Sequence, residues 1–341
     1  MPLLPVLSRP VTSSQPTARA LLLAMACAAP LPAWAATPGT PPGLRVETVT
    51  PASHPFQTLY CAGLPVQLRF LGGALELQVG THSRMLLPAI SASGARYEAP
   101  GDPATEYWGK GALATITWSG QTLPICAPAG TIIAPFRASG NEPFWALAYD
   151  GWQVTLSEPG RPDQVLNAQI TDSTSHGQTL SATEGAVAIT AQVNDALCVD
   201  TMTGMPYPQQ VTLRTPGGTQ HGCGGDPARL LQGVRWQITQ IGSQAVPAGI
   251  TASLVFLPDG RLAGSTGCNR VSGSYQLSGE GLAISGLAGT RMACADNAMA
   301  IESRLNTVLP AVRGFAIESG NHLVLETSDT RVTARPVAAF P

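Results

Sequence analysis

A mainly β protein made of consecutive β-rich blocks is predicted for this 341-residue chain, on three observations. Glycine and proline are dense, at 36 and 30 residues, which breaks up helices and supplies turns. The apolar residues fall in short alternating runs, the period that buries one face of a strand. Hydrophobic residues reach 44% while charged residues stay at 12%, so the chain has a core to bury and too little charge for a disordered polymer. At about 100–200 residues per domain the length accommodates two or three domains. Nineteen Lys+Arg against 21 Asp+Glu leave no basic excess to neutralise phosphates, which argues against nucleic-acid binding.

The amino terminus reads as an export signal over residues 1–35. Arg9 and Arg19 precede an apolar run from Ala20 to about Leu31, and Ala33-Trp34-Ala35 has the small-x-small pattern cut by signal peptidase. The run is shorter than the ~20 residues that span a bilayer. Soluble export to the periplasm is the reading these residues favour. The alternative is an outer-membrane lipoprotein anchored through Cys27, with Ala24-Met25-Ala26-Cys27 as a degenerate lipobox. Residues 36–52, rich in Pro, Thr and Gly, read as a flexible leader.

The first block, 53–127, holds strand candidates Leu64–Leu71, Ala74–Val79, Arg84–Leu87, Leu113–Trp118 and Thr122–Cys126, with Leu71-Gly72-Gly73 and Ser119-Gly120 as reversals. So many short strands fit a small antiparallel barrel, which removes exposed edges by closing on itself. After the linker Ala127-Pro128-Ala129-Gly130 comes a second β-rich block, 131–225, with candidates Phe144–Tyr149, Trp152–Leu156, Val187–Val193 and Val211–Arg214. Asp226-Pro227 marks the next boundary. The third block, 229–337, is α+β. It opens with a strand over Leu230–Ile241 and has a hairpin around Pro258-Asp259-Gly260. Its one helix is expected to be capped by Asp296 or Asn297, striped by Met299, Ile301, Leu305 and Val308/Leu309, and stopped by Pro310.

Beyond Cys27, six cysteines remain: Cys61, Cys126, Cys198, Cys223, Cys268 and Cys294. An even number in an exported chain points to disulfides, and the spacing favours neighbours pairing in order, though fifteen connectivities exist for six. A metal site with His221 near Cys223 is the rival reading, and neither a CxxC nor an HExxH spacing supports it. No metal and no cofactor is expected.

The first block carries Leu59-Tyr60-Cys61, Leu64-Pro65-Val66, Ser91-Ala92-Ser93-Gly94-Ala95-Arg96-Tyr97, Tyr107-Trp108-Gly109-Lys110-Gly111 and the closing Cys126. On these residues it resembles the MliC family of C-type lysozyme inhibitors. Two departures stand out: the aromatic directly precedes Cys61, and Pro100-Gly101-Asp102-Pro103 lengthens the segment between the two signatures. The last block is similar to a META (HslJ-like) domain, on Leu231-Gln232-Gly233-Val234-Arg235-Trp236, Gly264-Ser265-Thr266-Gly267-Cys268-Asn269-Arg270, Gly273-Ser274-Tyr275 and Thr290-Arg291-Met292-Ala293-Cys294. The middle block is similar to an uncharacterised envelope domain carrying Gly140-Asn141-Glu142-Pro143-Phe144-Trp145, Cys198-Val199-Asp200-Thr201-Met202 with Gly204, and Gly222-Cys223-Gly224.

The first resemblance implies a protein partner, a C-type lysozyme, and a lysozyme-binding set of Ser93, Gly94, Tyr97, Lys110 and Gly111. By that resemblance Lys110 and Ser93 enter the enzyme's cleft, while Tyr97 fixes the loop. Composition supports Lys110 independently: it is the only lysine among 19 basic residues, so a slim point charge stands where the chain elsewhere uses arginine. Gly109 and Gly111 on either side allow a tight turn. The chain is not expected to be an enzyme, since none of His54, His82, His176, His221 and His322 lies in a catalytic motif. The alternative is a general cell-envelope stress or binding protein in which all three blocks are interaction modules; in either reading the last two blocks are candidates for docking to peptidoglycan or the outer membrane. In the binding-protein reading Glu142, Trp145, Asp200 and Tyr207 line a pocket, against the plainer one in which Asn141-Glu142-Pro143 is a turn and Phe144 and Trp145 are core. Cys268-Asn269 and Arg291-Met292 are expected to brace a disulfide-linked turn.

Overall fold

The computed structural model describes residues 55–185 and 187–338. The expected signal peptide, leader and Cys27 lie outside the described residues. Nine strands form the first domain: β1 Gln57–Cys61, β2 Leu64–Leu71, β3 Ala74–Val79, β4 His82–Ala89, β5 Ala95–Ala99, β6 Asp102–Lys110, β7 Leu113–Trp118, β8 Gln121–Thr122 and β9 Cys126–Ala127. β1 to β7 pair antiparallel in sequence order. β9 then bridges β7 and β1, closing an eight-stranded ring from which β8 hangs as an extra pairing on β7. The alternating pattern explains why it closes: Leu64, Val66, Leu68, Leu75, Leu77, Val79, Leu86 and Ile116 all point inward and are buried. Each such side chain contributes roughly 1.5–3 kcal/mol on leaving water. Cys61 and Cys126, partners in the β1–β9 register, form a disulfide at the seam.

One expected strand of this domain divides, and one strand forms where none was expected. The single strand over Thr122–Cys126 is two short ones, β8 and β9, with the chain turning between them through Pro124, which has no N–H to give a ladder. In the opposite direction, Asp102–Lys110 is one continuous strand despite Pro103. The β5–β6 register jumps from Glu98↔Glu106 to Ala99↔Asp102, so Pro103 falls in a bulge where no cross-strand donor is required.

Eight strands from Phe136–Asn141 to Gly218–Gly224 close a second barrel around Trp145, Leu147, Val154, Leu156, Leu180 and Val211. Its longest strand, Val187–Val199, changes register between Asp195 and Cys198 and is tied to the last strand by the Cys198–Cys223 disulfide. The third domain is a curled antiparallel sheet running from Val234–Ile241 to Arg331–Ala338, with the helix α1 Asp296–Val308 burying Ile301 and Leu305. The third disulfide, Cys268–Cys294, completes pairing in sequence order.

Here too there are corrections. Leu230 belongs to a 3₁₀ turn, Pro227–Leu230, capped by the Asp226 carboxylate, and the strand starts at Val234. Neither Asp296 nor Asn297 caps α1. The cap position is Ala295, without a side-chain bond, and Asp296 instead places its negative charge in the first turn. Met299, expected in the apolar stripe, is exposed. The helix ends at Val308 in a 3₁₀ turn, Leu309–Ala311, that contains Pro310.

The outer domains touch directly. Arg229 donates to the carbonyl oxygens of Ile125 (2.9 Å) and Tyr60 (3.4 Å), and the Gly63 N–H donates to Gln232 O. Hairpin turns alternate between the ends of an antiparallel barrel. The β1–β2 turn that holds Gly63 therefore lies at the end opposite the β4–β5 and β6–β7 turns.

Candidate functional site

Ser93 and Gly94 lie in the β4–β5 loop, and Lys110 and Gly111 at the β6–β7 turn, so topology brings both segments to one end of the barrel. The β5–β6 register pairs Ala95 with Gly109, setting the segments side by side. Gly94, at φ +72°, packs so closely that a Cβ there would overlap the Gly109 carbonyl oxygen and press on the Lys110 stem. Gly109 is constrained from below, since a Cβ would strike the Tyr107 hydroxyl. The glycines of the two signatures thus allow close approach as well as a turn.

Tyr97 sits beneath the loops, its ring 5.7 Å from Phe70 and 6.3 Å from Tyr107. Burial, with Tyr97 alongside, pushes the Tyr107 phenol above its usual pKa, so the Tyr107 hydroxyl stays neutral. The loop above is tied by its own bonds: Ser91 Oγ donates to Ser93 O (2.9 Å) and to Gly94 O (3.2 Å). Arg96, which faces Trp108 across the register, makes a two-pronged bond to Glu106 (2.9 and 3.1 Å) and a salt bridge to Glu98.

Ser93 and Lys110 are both exposed, and neither the Ser93 hydroxyl nor the Lys110 ammonium has a hydrogen-bond or ion-pair partner among the described residues. The ammonium instead lies 3.9 Å from the centroid of the Trp108 ring, and Trp108 Nε1–H donates to Ser93 O at 2.8 Å. Sequence reasoning quoted Trp108 within a signature without giving it a task. The signal that finds it is the pairing register, which sets it between the two loops.

The four middle-block candidates do not converge on one pocket. Trp145 is fully buried in its barrel, and Glu142 is exposed at a turn. Tyr207 packs against the core of the third domain. Asp200, 8% exposed, is a hydrogen-bond hub. One carboxylate oxygen accepts from Asn141 Nδ2 (2.9 Å), and the other from Met202 N (3.1 Å), Thr203 N (2.8 Å) and Thr203 Oγ1 (2.8 Å). Burial pushes its pKa up, but the bonds from Thr203, Asn141 and Met202 outweigh it and hold the carboxyl below the usual value. The loop so fixed ends at Met205, which is buried in the same cluster as Leu231, Trp236 and Phe256 of the third domain. Asn269, 3% exposed, has a similar job: it accepts from Thr290 Oγ1 and Met292 N and donates to Met292 O and Glu302 beside the Cys268–Cys294 bridge.

Residues 60–124 match the family described as membrane-bound lysozyme-inhibitor of c-type lysozyme, and residues 228–339 match the META domain. An NMR structure of a protein from Burkholderia xenovorans is 26% identical over 32% of this chain and 86% of its own, with a TM-score of 0.29. A second NMR structure is 24% identical over 33% of this chain and 97% of its own, also at 0.29. At those scores neither carries an argument about the fold. No curated protein matches the chain. The chain thus has an MliC-then-META architecture: a domain of the c-type lysozyme-inhibitor family, a closed barrel, and a META domain.

Proposed function

We propose that the protein is an exported inhibitor of c-type lysozyme that inserts the Lys110 and Ser93 tips into the enzyme's cleft. The observation that carries this reading is the chain's single lysine, unpaired and exposed at the free end of the inhibitor-family domain, beside the Ser93 loop. A lysozyme cleft works with two carboxylates, one kept protonated by apolar surroundings and one ionised. A compact ammonium group with three donors is a fitting counter-ion there, and a serine hydroxyl satisfies a neighbouring oxygen. Blocking that cleft asks for shape and charge, and no bond is made or broken by this chain. The domain's link to envelope families fits export through residues 1–35. No helix of the described residues is long and apolar enough to cross a membrane. The mass of the mature N-terminus separates cleavage behind Ala35 from lipidation at Cys27.

The decisive experiment is cell-wall digestion by c-, g- and i-type lysozymes in the presence of the full, oxidised chain. Inhibition confined to the c-type enzyme is expected. Undiminished digestion by c-type lysozyme in saturating excess of the protein overturns the reading and leaves a general envelope-binding role.

A further inference from the structure

One residue at the candidate site touches both tips. Trp108 donates its indole N–H to the backbone carbonyl of Ser93 and offers its ring face to the Lys110 ammonium. Tyrosine and phenylalanine rings bind cations less well than indole, and neither carries a ring N–H, so tryptophan alone does both jobs. Its strand partner Arg96 is itself locked by Glu106 and Glu98 and reaches back to Ile90 O (3.4 Å), at the start of the same loop. The side chain across the register from Trp108 is therefore tied at several points.

We propose that Trp108 is a positioning residue of the inhibitory site, coupling Ser93 and Lys110 so that they enter the lysozyme cleft as one pre-formed unit. This rests on the inhibitory reading above and adds to it a residue that meets the partner through others. A lysine stem has four rotatable bonds, and ordering them at the moment of binding costs affinity; a ring that already holds the ammonium removes part of that cost beforehand. The ring contacts one side of the ammonium only, so its N–H groups remain free to donate to carboxylates. On the other side, the indole N–H pins the Ser93 carbonyl, and so holds the backbone from which the Ser93 hydroxyl projects. The role assigned is geometric, and its signature is non-additivity.

The test is a set of double-mutant cycles on the full, oxidised chain, with the inhibition constant against a c-type lysozyme as readout and thermal unfolding as control. Trp108→Ala loses the ring face and the N–H, and is expected to weaken inhibition about 5- to 50-fold. Trp108→Phe keeps a ring face and loses the N–H, for about 2- to 13-fold. Each loss should shrink at unchanged melting temperature: that of Trp108→Ala in a Lys110→Ala background, that of Trp108→Phe in a Ser93→Ala background. If Trp108→Ala does not fold, the Trp108→Phe cycle with Ser93→Ala decides by itself. Trp108 substitutions that cost the same factor in all backgrounds, while Lys110→Ala and Ser93→Ala each weaken inhibition, overturn the coupling and leave the inhibitory reading standing. If Lys110→Ala and Ser93→Ala both leave inhibition unchanged, the chain still inhibits but not through these tips, and this inference falls with their assignment to the cleft.

Discussion

Lys110 and Asp200 each place one charge in a short glycine-containing motif, and they are held in opposite ways. Asp200 is buried, accepts four hydrogen bonds, and through Met205 secures the middle barrel to the core of the META domain. Lys110 is exposed and, apart from its contact with the Trp108 ring, uncommitted. A charge whose bonding capacity is filled from within its own chain stabilises the fold. A charge whose N–H groups remain open, resting on a ring that its own chain ties down, is available to a second molecule. The two motifs look equally suggestive as strings of letters, and only their bonding separates them.

The sharpest way to break this contrast is to exchange the readouts. Lys110→Ala should weaken lysozyme inhibition by roughly thirty-fold to several thousand-fold, the ~2–5 kcal/mol expected when one member of a buried charge pair is removed at an interface. Its melting temperature should match wild type. Asp200→Ala should do the reverse, costing about 1–3 kcal/mol of stability as four donors lose their charged acceptor and the loop that leads to Met205 is released, with the inhibition constant unchanged. A large loss of inhibition in a folded Asp200→Ala protein contradicts the division. Ser93→Ala should lie lower, at about 0.5–1.5 kcal/mol of affinity, the value of one neutral hydrogen bond.

Acid sharpens the comparison further, with a smaller expected effect. The folded-state pKa of Asp200 is depressed, so its contribution to stability is complete above the ordinary aspartate value near ~3.9 and is lost as pH falls below it toward the lowered value. The difference in melting temperature between wild type and Asp200→Asn should therefore be constant from neutral pH to about 5 and shrink below about 4. A difference that stays constant down to the most acidic pH at which both proteins fold removes the carboxylate from the account.

Much of the first barrel was legible in the sequence. Leu64–Leu71, Ala74–Val79 and Leu113–Trp118 alternate cleanly and end at Gly-Gly, Gly or Ser-Gly reversals, so pattern and turn chemistry agree. Lys110 could be singled out because a lone lysine among arginines is a compositional fact. The task of Trp108 could not, because its bond to Ser93 spans fifteen residues and depends on the β5–β6 register. Asp102–Lys110 was obscured by Pro103, which only a bulge makes tolerable. Asp200 looked like a pocket residue because the motif does not reveal that Met205, five positions on, is buried in another domain. The start of α1 was misplaced for a plainer reason: acidic and amide residues near a helix start signal a cap, but here the first turn takes the acid and the cap position is alanine.

The grip of Arg229 on Tyr60 and Ile125 has a consequence for geometry. The META domain holds the first barrel from behind, at the end opposite the Ser93 and Lys110 tips. Under the proposed reading, a muramidase would meet the ammonium on the face away from this contact, so inhibition would not require the two domains to be prised apart.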